Sequence, residues 1–457
     1  MKWSILTILC LFLLSGTSNA AQQQQYTLFN DPYGNFSERY ILISELKRLI
    51  ENTPRGETIH GAIFSWSKSQ RGCEVFETLK SAIKKGVNVT IVIDGKFSRS
   101  SSQPSSPVIA LIHNNTAEND KELEMVCGKE VPKSVYAFQD IVTDFFAQYD
   151  NASIHLCQPT GGCISSTNNS KQHEKFWLFS KTTNREEQAI NNVVYVSSGN
   201  LTSGAGYQQT NDALVIAEDE AFYNAFVAHF NLKRNQQHFS DNDYYTQGGY
   251  FQSNQGDEKT YNTVFWSPRG NGKTNIWTLR LRKISGDSDN CKLYINNAWH
   301  QVVEIAHELT RISNAGCDVK LISSHQENPP SDAKEFLSVL KSSSNKIDTK
   351  FINFGLNTVS KCQAITDEDE RETCFSACVY THHKYVVFQG KYNGKNTRRV
   401  WAGSFNFTKS ANAKNDENMV KVSLAETVDN YFSNFATEMN MAQREGYNIC
   451  KSANPSS

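Results

Sequence analysis

Gln172-His173-Glu174-Lys175-Phe176-Trp177-Leu178-Phe179-Ser180 and His382-His383-Lys384-Tyr385-Val386-Val387-Phe388-Gln389 are the two stretches that decide the fold. In each, His-x-Lys opens an apolar run that reads as a buried strand. Residues i and i+2 of a strand share a face, so each His stands beside its Lys. A second apolar run follows in each copy and ends in Ser-x-Asn, at Ser198 and Asn200 and at Ser404 and Asn406. The His-to-Asn spacing is 27 residues in the first copy and 24 in the second. Beyond the Asn the copies align without a gap: Thr202 with Thr408, Ala205 with Ala411, Asn211 with Glu417, Val215 with Lys421. A lone His-x-Lys on a strand is usually a surface pair. Two of them, each ahead of Ser-x-Asn, read as two halves of one site.

Upstream of each motif lies the same corner. Tyr40 to Leu49 reads as a helix and Thr58 to Trp66 as a strand. Cys73 to Lys85 is helical, with Phe76, Leu79 and Ile83 on one face and Gly86 ending it; Val89 to Ile93 is the next strand. In the second half the counterparts are Lys292 to Ile295, Val302 to Ile312 with Gly316, and Val319 to Ile322. Strand, helix and strand predict a parallel βαβ unit in each half. The expected fold is therefore α/β, two similar α-β-α lobes whose mixed sheets pack together. The expected boundaries are a leader at 1–20, lobes at 21–240 and 263–445, and a polar linker at 241–262.

The residue types fit cleavage of a phosphodiester. A neutral imidazole can attack phosphorus and hold it covalently. A second, protonated imidazole can give its proton to the leaving alcohol and then activate water. Lys175 and Lys384, with hydroxyls and amides from Ser198, Ser404, Asn200 and Asn406, would surround the phosphoryl oxygens. His383, between the motif residues, should face the other side of its strand. No carboxylate-rich or Cys/His pattern in the motif strands suggests a metal or other cofactor.

These segments resemble the His-x-Lys-x4-Asp and Gly-Ser-x-Asn signature of the phospholipase D superfamily, across roughly Tyr40 to Phe230 and Val264 to Phe435. The resemblance implies a metal-free phosphohistidine mechanism at a single site between the lobes, His173 as nucleophile and His382 as acid–base partner. It also implies that a carboxylate at Glu417 orients a histidine or serves the substrate. Four residues depart from the pattern: Ser180 and Gln389 replace the motif Asp, Ser197 replaces the Gly, and Asn211 stands opposite Glu417. In the family that Asp is supportive and lies away from the phosphate.

Composition narrows the rest. Lys2 precedes an apolar run from Ile5 to Leu14, then small residues up to Ala20, which reads as a signal peptide and predicts a secreted or periplasmic protein. Cys10 falls in it, and the even number of cysteines remaining predicts disulfides; Cys157 and Cys163 flank a turn, and Cys362, Cys374 and Cys378 cluster. Forty-six basic residues against 47 acidic ones give a formal charge of −1, and no long basic run lies near either motif. A protein gripping a long polyanion usually carries a basic track, so the expected substrate is a phospholipid or other small phosphodiester. A nuclease using the same site and a phosphate-binding protein that has lost its chemistry remain as alternatives. With both half-sites in one chain, no protein partner is required and a monomer is expected.

Overall fold

Ser69 and Gly86 bound the helix that Phe76, Leu79 and Ile83 predict. The Ser69 hydroxyl accepts from the Gly72 amide at 3.3 Å, and Gly86 closes the last turn at φ +94°, a conformation that favours glycine. The computed structural model describes residues 24–95, 123–132, 137–158, 161–253, 261–324, 329–355 and 378–443. The expected leader, Cys362, Cys374 and the Cys378 side chain lie outside the described residues.

The first half runs β1 (Gln24–Phe29), α1 (Ile41–Glu51), β2 (Thr58–Ile63), α2 (Gln70–Lys85), β3 (Asn88–Ile93) and β4 (Ala152–Leu156). It continues with β5 (Phe176–Thr183), β6 (Ala189–Ser197), the short β7 (Gln209–Thr210), β8 (Asp212–Ala217) and α3 (Glu220–Arg234). The second half runs β9 (Tyr250–Gln252), β10 (Thr263–Trp266), α4 (Ile276–Leu281), β11 (Lys292–Asn297), α5 (Val303–Asn314) and β12 (Asp318–Ser324). After α6 (Ser331–Lys341) come β13 (Asp348–Gly355), β14 (Cys378–Thr381), β15 (Lys384–Tyr392), β16 (Lys395–Gly403), β17 (Asn418–Val422) and α7 (Ala425–Gln443).

The strand order of the first sheet is β1-β8-β6-β5-β2-β3-β4, and β10-β17-β16-β15-β11-β12-β13 repeats it within the second sheet. Directions repeat as well. β2 and β3 are parallel, as are β11 and β12, whereas β5 and β15 run antiparallel to their βαβ neighbours. Part of the stretch expected as linker is ordered into the second lobe: β9 pairs antiparallel with β10 at its edge. Three residues are too few to show a strand period, so its polar surroundings masked it.

Alternation along the strands divides the side chains between two layers. Phe176, Leu178, Val194 and Val196 meet Tyr385, Val387, Val400 and Ala402 in one apolar cluster, with Phe226 of α3 and Tyr431 of α7. The other faces bury Trp177, Phe179 and Tyr195 in the first lobe, and Val386, Phe388 and Trp401 in the second. Fully burying a large side chain stabilises by about 1.5–3 kcal/mol. The shared cluster thus holds the lobes face to face and brings the N-terminal ends of β5 and β15 together.

Cys157 and Cys163 are bonded, as are Cys73 with Cys127 and Cys291 with Cys317. Closing the 54-residue separation of the Cys73 bridge restrains the unfolded chain by about 4 kcal/mol in the chain-entropy estimate.

Candidate active site

The two lobes exchange short pieces of backbone at the motifs. The His173 amide donates to the Asp416 carbonyl at 3.0 Å, and the Asp416 amide to the Lys171 carbonyl at 2.8 Å. On the opposite side β7 pairs in parallel with β14, and the His382 amide donates to the Thr210 carbonyl at 2.9 Å. Each histidine is thereby docked against the segment of the other lobe that leads into Glu417 or Asn211.

Those two residues take the imidazoles. His173 Nδ1 lies 2.8 Å from Glu417 Oε2, and His382 Nδ1 lies 2.9 Å from Asn211 Oδ1. The Asn211 amide nitrogen donates to the Ala205 carbonyl at 3.0 Å, so its oxygen must face His382. An amide oxygen only accepts, and His382 therefore carries its proton on Nδ1. In both rings Nδ1 is engaged from the other lobe, which leaves Nε2 for a ligand.

Lys175 Nζ donates to the His173 carbonyl at 2.5 Å, and Lys384 Nζ makes the matching bond to the His382 carbonyl. Both lysines are buried; His173 keeps 12% and His382 8% of its surface. Asn200 and Asn406 each carry a buried side-chain oxygen with no hydrogen-bond partner among the described residues. Their amides are unspent polar groups of the kind that a ligand satisfies.

Ser198, Ser404 and Glu417 stand one layer behind. The Ser198 hydroxyl lies 3.3 Å from Asn211 Oδ1 and accepts from the Asp212 amide at 2.9 Å. The Ser404 hydroxyl accepts from the Asn418 amide at 3.1 Å, and Asn415 Nδ2 donates to Glu417 Oε1 at 3.0 Å. The Ser198 and Ser404 hydroxyls, expected at the phosphate, bond the backbone beside Asn211 and Glu417, and Glu417 meets the first of its two expectations by orienting His173. Gly403 has φ +143°, with Asn418 too close for a Cβ, while Ser197 in its place bonds its hydroxyl to the Asp212 carbonyl at 3.0 Å.

The central residue of each motif points away from the site into a buried ionic cluster. Glu174 meets Lys233 at 2.5 Å and His229 at 3.1 Å on α3. Lys233 also reaches Asp416, whose carboxylate accepts the Cys163, Ile164 and Ser165 amides at 2.8, 3.0 and 2.9 Å. His383 sits between Asp212 at 2.8 Å and Glu438 of α7 at 2.6 Å. The sign is reversed between lobes. Against burial, Lys233 and His229 hold Glu174 down to about 2, while Glu438 and Asp212 lift His383 to about 9.

Ser180 and Gln389, in place of the motif Asp, lie five residues beyond the lysines, roughly 16 Å along a strand. Ser180 bonds Glu57 at 2.7 Å, and Gln389 the Asn290 carbonyl at 3.3 Å. Phe64 and Lys171 were not anticipated. The Phe64 ring stands edge-on to His173 at 4.8 Å, with Lys175 Nζ 4.9 Å and Lys171 Nζ 5.5 Å from its centre. Their signal is positional only: Phe64 follows β2, whereas Ala298 follows β11.

Charge in the pocket is unbalanced. Burial pushes His173 well below its ordinary range, and Lys175, Lys384 and Lys171 add to this. His382 is lowered well below its range by burial, then by Lys384, Lys175 and His173. Burial brings Lys175 down to about 7, with Glu417 opposing, and raises Glu417 to about 7, with Lys175 opposing. Lys384 too is lowered well below its ordinary range, by burial and then by Lys175; two imidazoles and two lysines thus face one carboxyl group, an arrangement an anion relieves. Among the described residues no group of three or more His, Cys, Asp or Glu stands placed to hold a metal ion.

Residues 287–439 match the family model described as "Cardiolipin synthase, PLD-like domain". Phosphatidylserine synthase of Haemophilus influenzae is similar in structure, with a TM-score of 0.50 and 11% identity over 91% of this chain and 86% of its own. Polyphosphate kinase of Porphyromonas gingivalis gives a TM-score of 0.49 and 12% identity over 91% of this chain, which spans only 50% of that enzyme. Nuc of Salmonella typhimurium, a phospholipase D family member, gives a TM-score of 0.28 and 17% identity over 47% of this chain and 96% of its own. No curated protein matches the chain. Residues 287–439 thus carry a PLD-like domain, and the first lobe repeats its strand order and directions.

Proposed function

We propose that the chain is an exported phosphodiesterase that works through a covalent phosphohistidine. One observation carries this reading: each imidazole is held at Nδ1 by a residue of the other lobe, with a buried lysine beside it. In the first step His173 Nε2 attacks phosphorus. A P–N bond forms, the P–O bond to the leaving alcohol breaks, and His382 as imidazolium gives that oxygen its proton. In the second step neutral His382 takes a proton from water. The water oxygen attacks phosphorus, the P–N bond breaks, and the phosphomonoester leaves with His173 restored.

His382 is held neutral by burial and by neighbouring cations, and the anionic diester supplies the charge that lets it take up its proton. The lysines and the Asn200 and Asn406 amides are placed to meet phosphoryl oxygens. Near-balanced charge and the lack of basic runs favour a phospholipid or other small diester. A second reading, a nuclease, would use the same histidines and lysines on a nucleic-acid phosphodiester.

The test is to quench turnover at alkaline pH and search tryptic peptides for a phosphoryl adduct. The adduct is expected on His173 and absent from His173→Ala protein. Sustained turnover with no histidine adduct overturns the mechanism. Phosphatidylcholine vesicles and single-stranded DNA, offered in parallel, separate the two substrate readings.

A further inference from the structure

Glu417 follows directly on a joint that ties the second lobe to the first histidine motif. Asp416 forms an isolated parallel bridge with Gln172. Its carbonyl accepts from the His173 amide and its amide donates to the Lys171 carbonyl. Its side chain is fully buried and reaches a loop of the first lobe. Oδ2 accepts from the Cys163 and Ile164 amides at 2.8 and 3.0 Å and lies 3.1 Å from Lys233 Nζ, while Oδ1 accepts from the Ser165 amide at 2.9 Å. Bonds from N–H groups to an ionised carboxylate are roughly twice as strong as neutral ones. Asp416 is therefore held at its backbone and at both carboxylate oxygens.

The loop that grips it is itself anchored. Cys163 is bonded to Cys157, the residue after β4. The Gly162 amide donates to the Ser170 hydroxyl at 2.6 Å, and the Ile164 carbonyl accepts from His238 Nδ1 at 2.9 Å. The Ile164 side chain is buried in the apolar cluster that the lobes share. Shape closes the grip: a Cβ on Gly162 would lie 2.7 Å from Asp416 Oδ1, so any larger residue would push the carboxylate aside.

The second histidine is docked without this grip. The ungapped alignment that sets Asn211 opposite Glu417 sets Thr210 opposite Asp416. The Thr210 carbonyl accepts from the His382 amide, as Asp416 does from His173. Its side chain is a neutral hydroxyl, 3.4 Å from Glu438 Oε2. The carboxylate clamp thus stands only beside the residue that meets His173 Nδ1, at 2.8 Å.

We propose that Asp416, gripped by the Gly162–Ser165 loop and Lys233, is a positioning residue that holds Glu417 in register with His173. Its effect on turnover rests on the phosphohistidine reading; its effect on the contact between His173 and Glu417 does not. That contact is followed by proton NMR of full-length protein carrying nitrogen-labelled histidine, through the downfield imidazole proton that His173 Nδ1 shares with Glu417. The resonance is identified by its loss in Glu417→Ala. Asp416→Asn removes the charge, and Gly162→Ala crowds the carboxylate while keeping it. Each should shift or broaden the resonance. Each should also lower kcat at least about ten-fold with KM changed less than about two-fold, since a displacement of about 1 Å can cost a hundred-fold. Gly162→Ala decides the question should Asp416→Asn fail to fold by circular dichroism. Thr210→Val alters the counterpart residue and should leave the resonance in place. An unchanged resonance in folded Asp416→Asn or Gly162→Ala overturns the proposal, even where the melting temperature falls. So does an equal change in Thr210→Val, or a parent spectrum in which no imidazole proton depends on Glu417. A parent that keeps the resonance yet forms no phosphohistidine refutes the mechanism alone, and the resonance in the two variants still decides the clamp.

Discussion

The first half presents its histidine to a carboxylate, the second to an amide. His173 meets Glu417 across the lobe boundary and His382 meets Asn211 across the same boundary in reverse. The backbone around them is nearly symmetrical, with the same bond from the histidine amide to a carbonyl of the other lobe. The difference is therefore chemical. A carboxylate can stabilise an imidazole that gains positive character on bonding to phosphorus. An amide oxygen fixes a tautomer without favouring the cation, which suits a ring that must release its proton. On the proposed mechanism this difference suits His173 as nucleophile and His382 as acid–base partner.

The largest expected effect removes the comparison altogether. His173→Ala and His382→Ala should each lower kcat by about a thousand-fold or more, and the double variant should be no worse, because the two act as a unit. Single-turnover rates on folded protein check this, and substantial activity in either single variant would break the one-site description. Glu417→Gln should cost roughly ten- to a hundred-fold, the usual range for a group that orients an active-site ligand. Asn211→Ala should cost less, since no charge is lost; the reverse ranking would assign the nucleophile to His382.

Acidity sharpens the same contrast. Lys175, brought down to about 7, is a cation below that pH and neutral above it. Its grip on the phosphate is then present at low pH and lost as pH rises through about 7, so kcat/KM should fall along a basic limb there. Asn211→Asp gives His382 a carboxylate partner and should raise the ring's pKa, moving the limb that reports the acid to higher pH. A pH profile unchanged by Asn211→Asp would place the proton donor elsewhere. The smallest effect concerns the substituted motif position. Ser180→Ala and Gln389→Ala should each alter activity by less than about two-fold, as substitutions remote from buried networks usually do; steady-state rates would show it.

Much of the site was legible because its chemistry is local. His173 with Lys175, and His382 with Lys384, share a strand face through the two-residue period alone, and the repeated Ser-x-Asn marked the return strand. The ungapped alignment even set Asn211 opposite Glu417, although not the histidine each one serves. Hydroxyls beside a phosphate site suggest substrate contacts at Ser198 and Ser404, whereas their bonds to the Asp212 and Asn418 amides depend on how the return strands meet their neighbours. β9 escaped because three residues carry no period. The reversed-sign clusters around Glu174 and His383 depend on helices more than fifty residues downstream.

The sequence by itself determined the repeated lobes and the paired His-x-Lys half-sites, since those follow from residue type and short spacing. Tertiary structure alone decided which lobe orients which histidine, because that follows from how two sheets meet face to face. It also decided where charge is buried: Glu174 finds Lys233 and His229, and His383 finds Asp212 and Glu438, across distances in sequence that no short spacing announces.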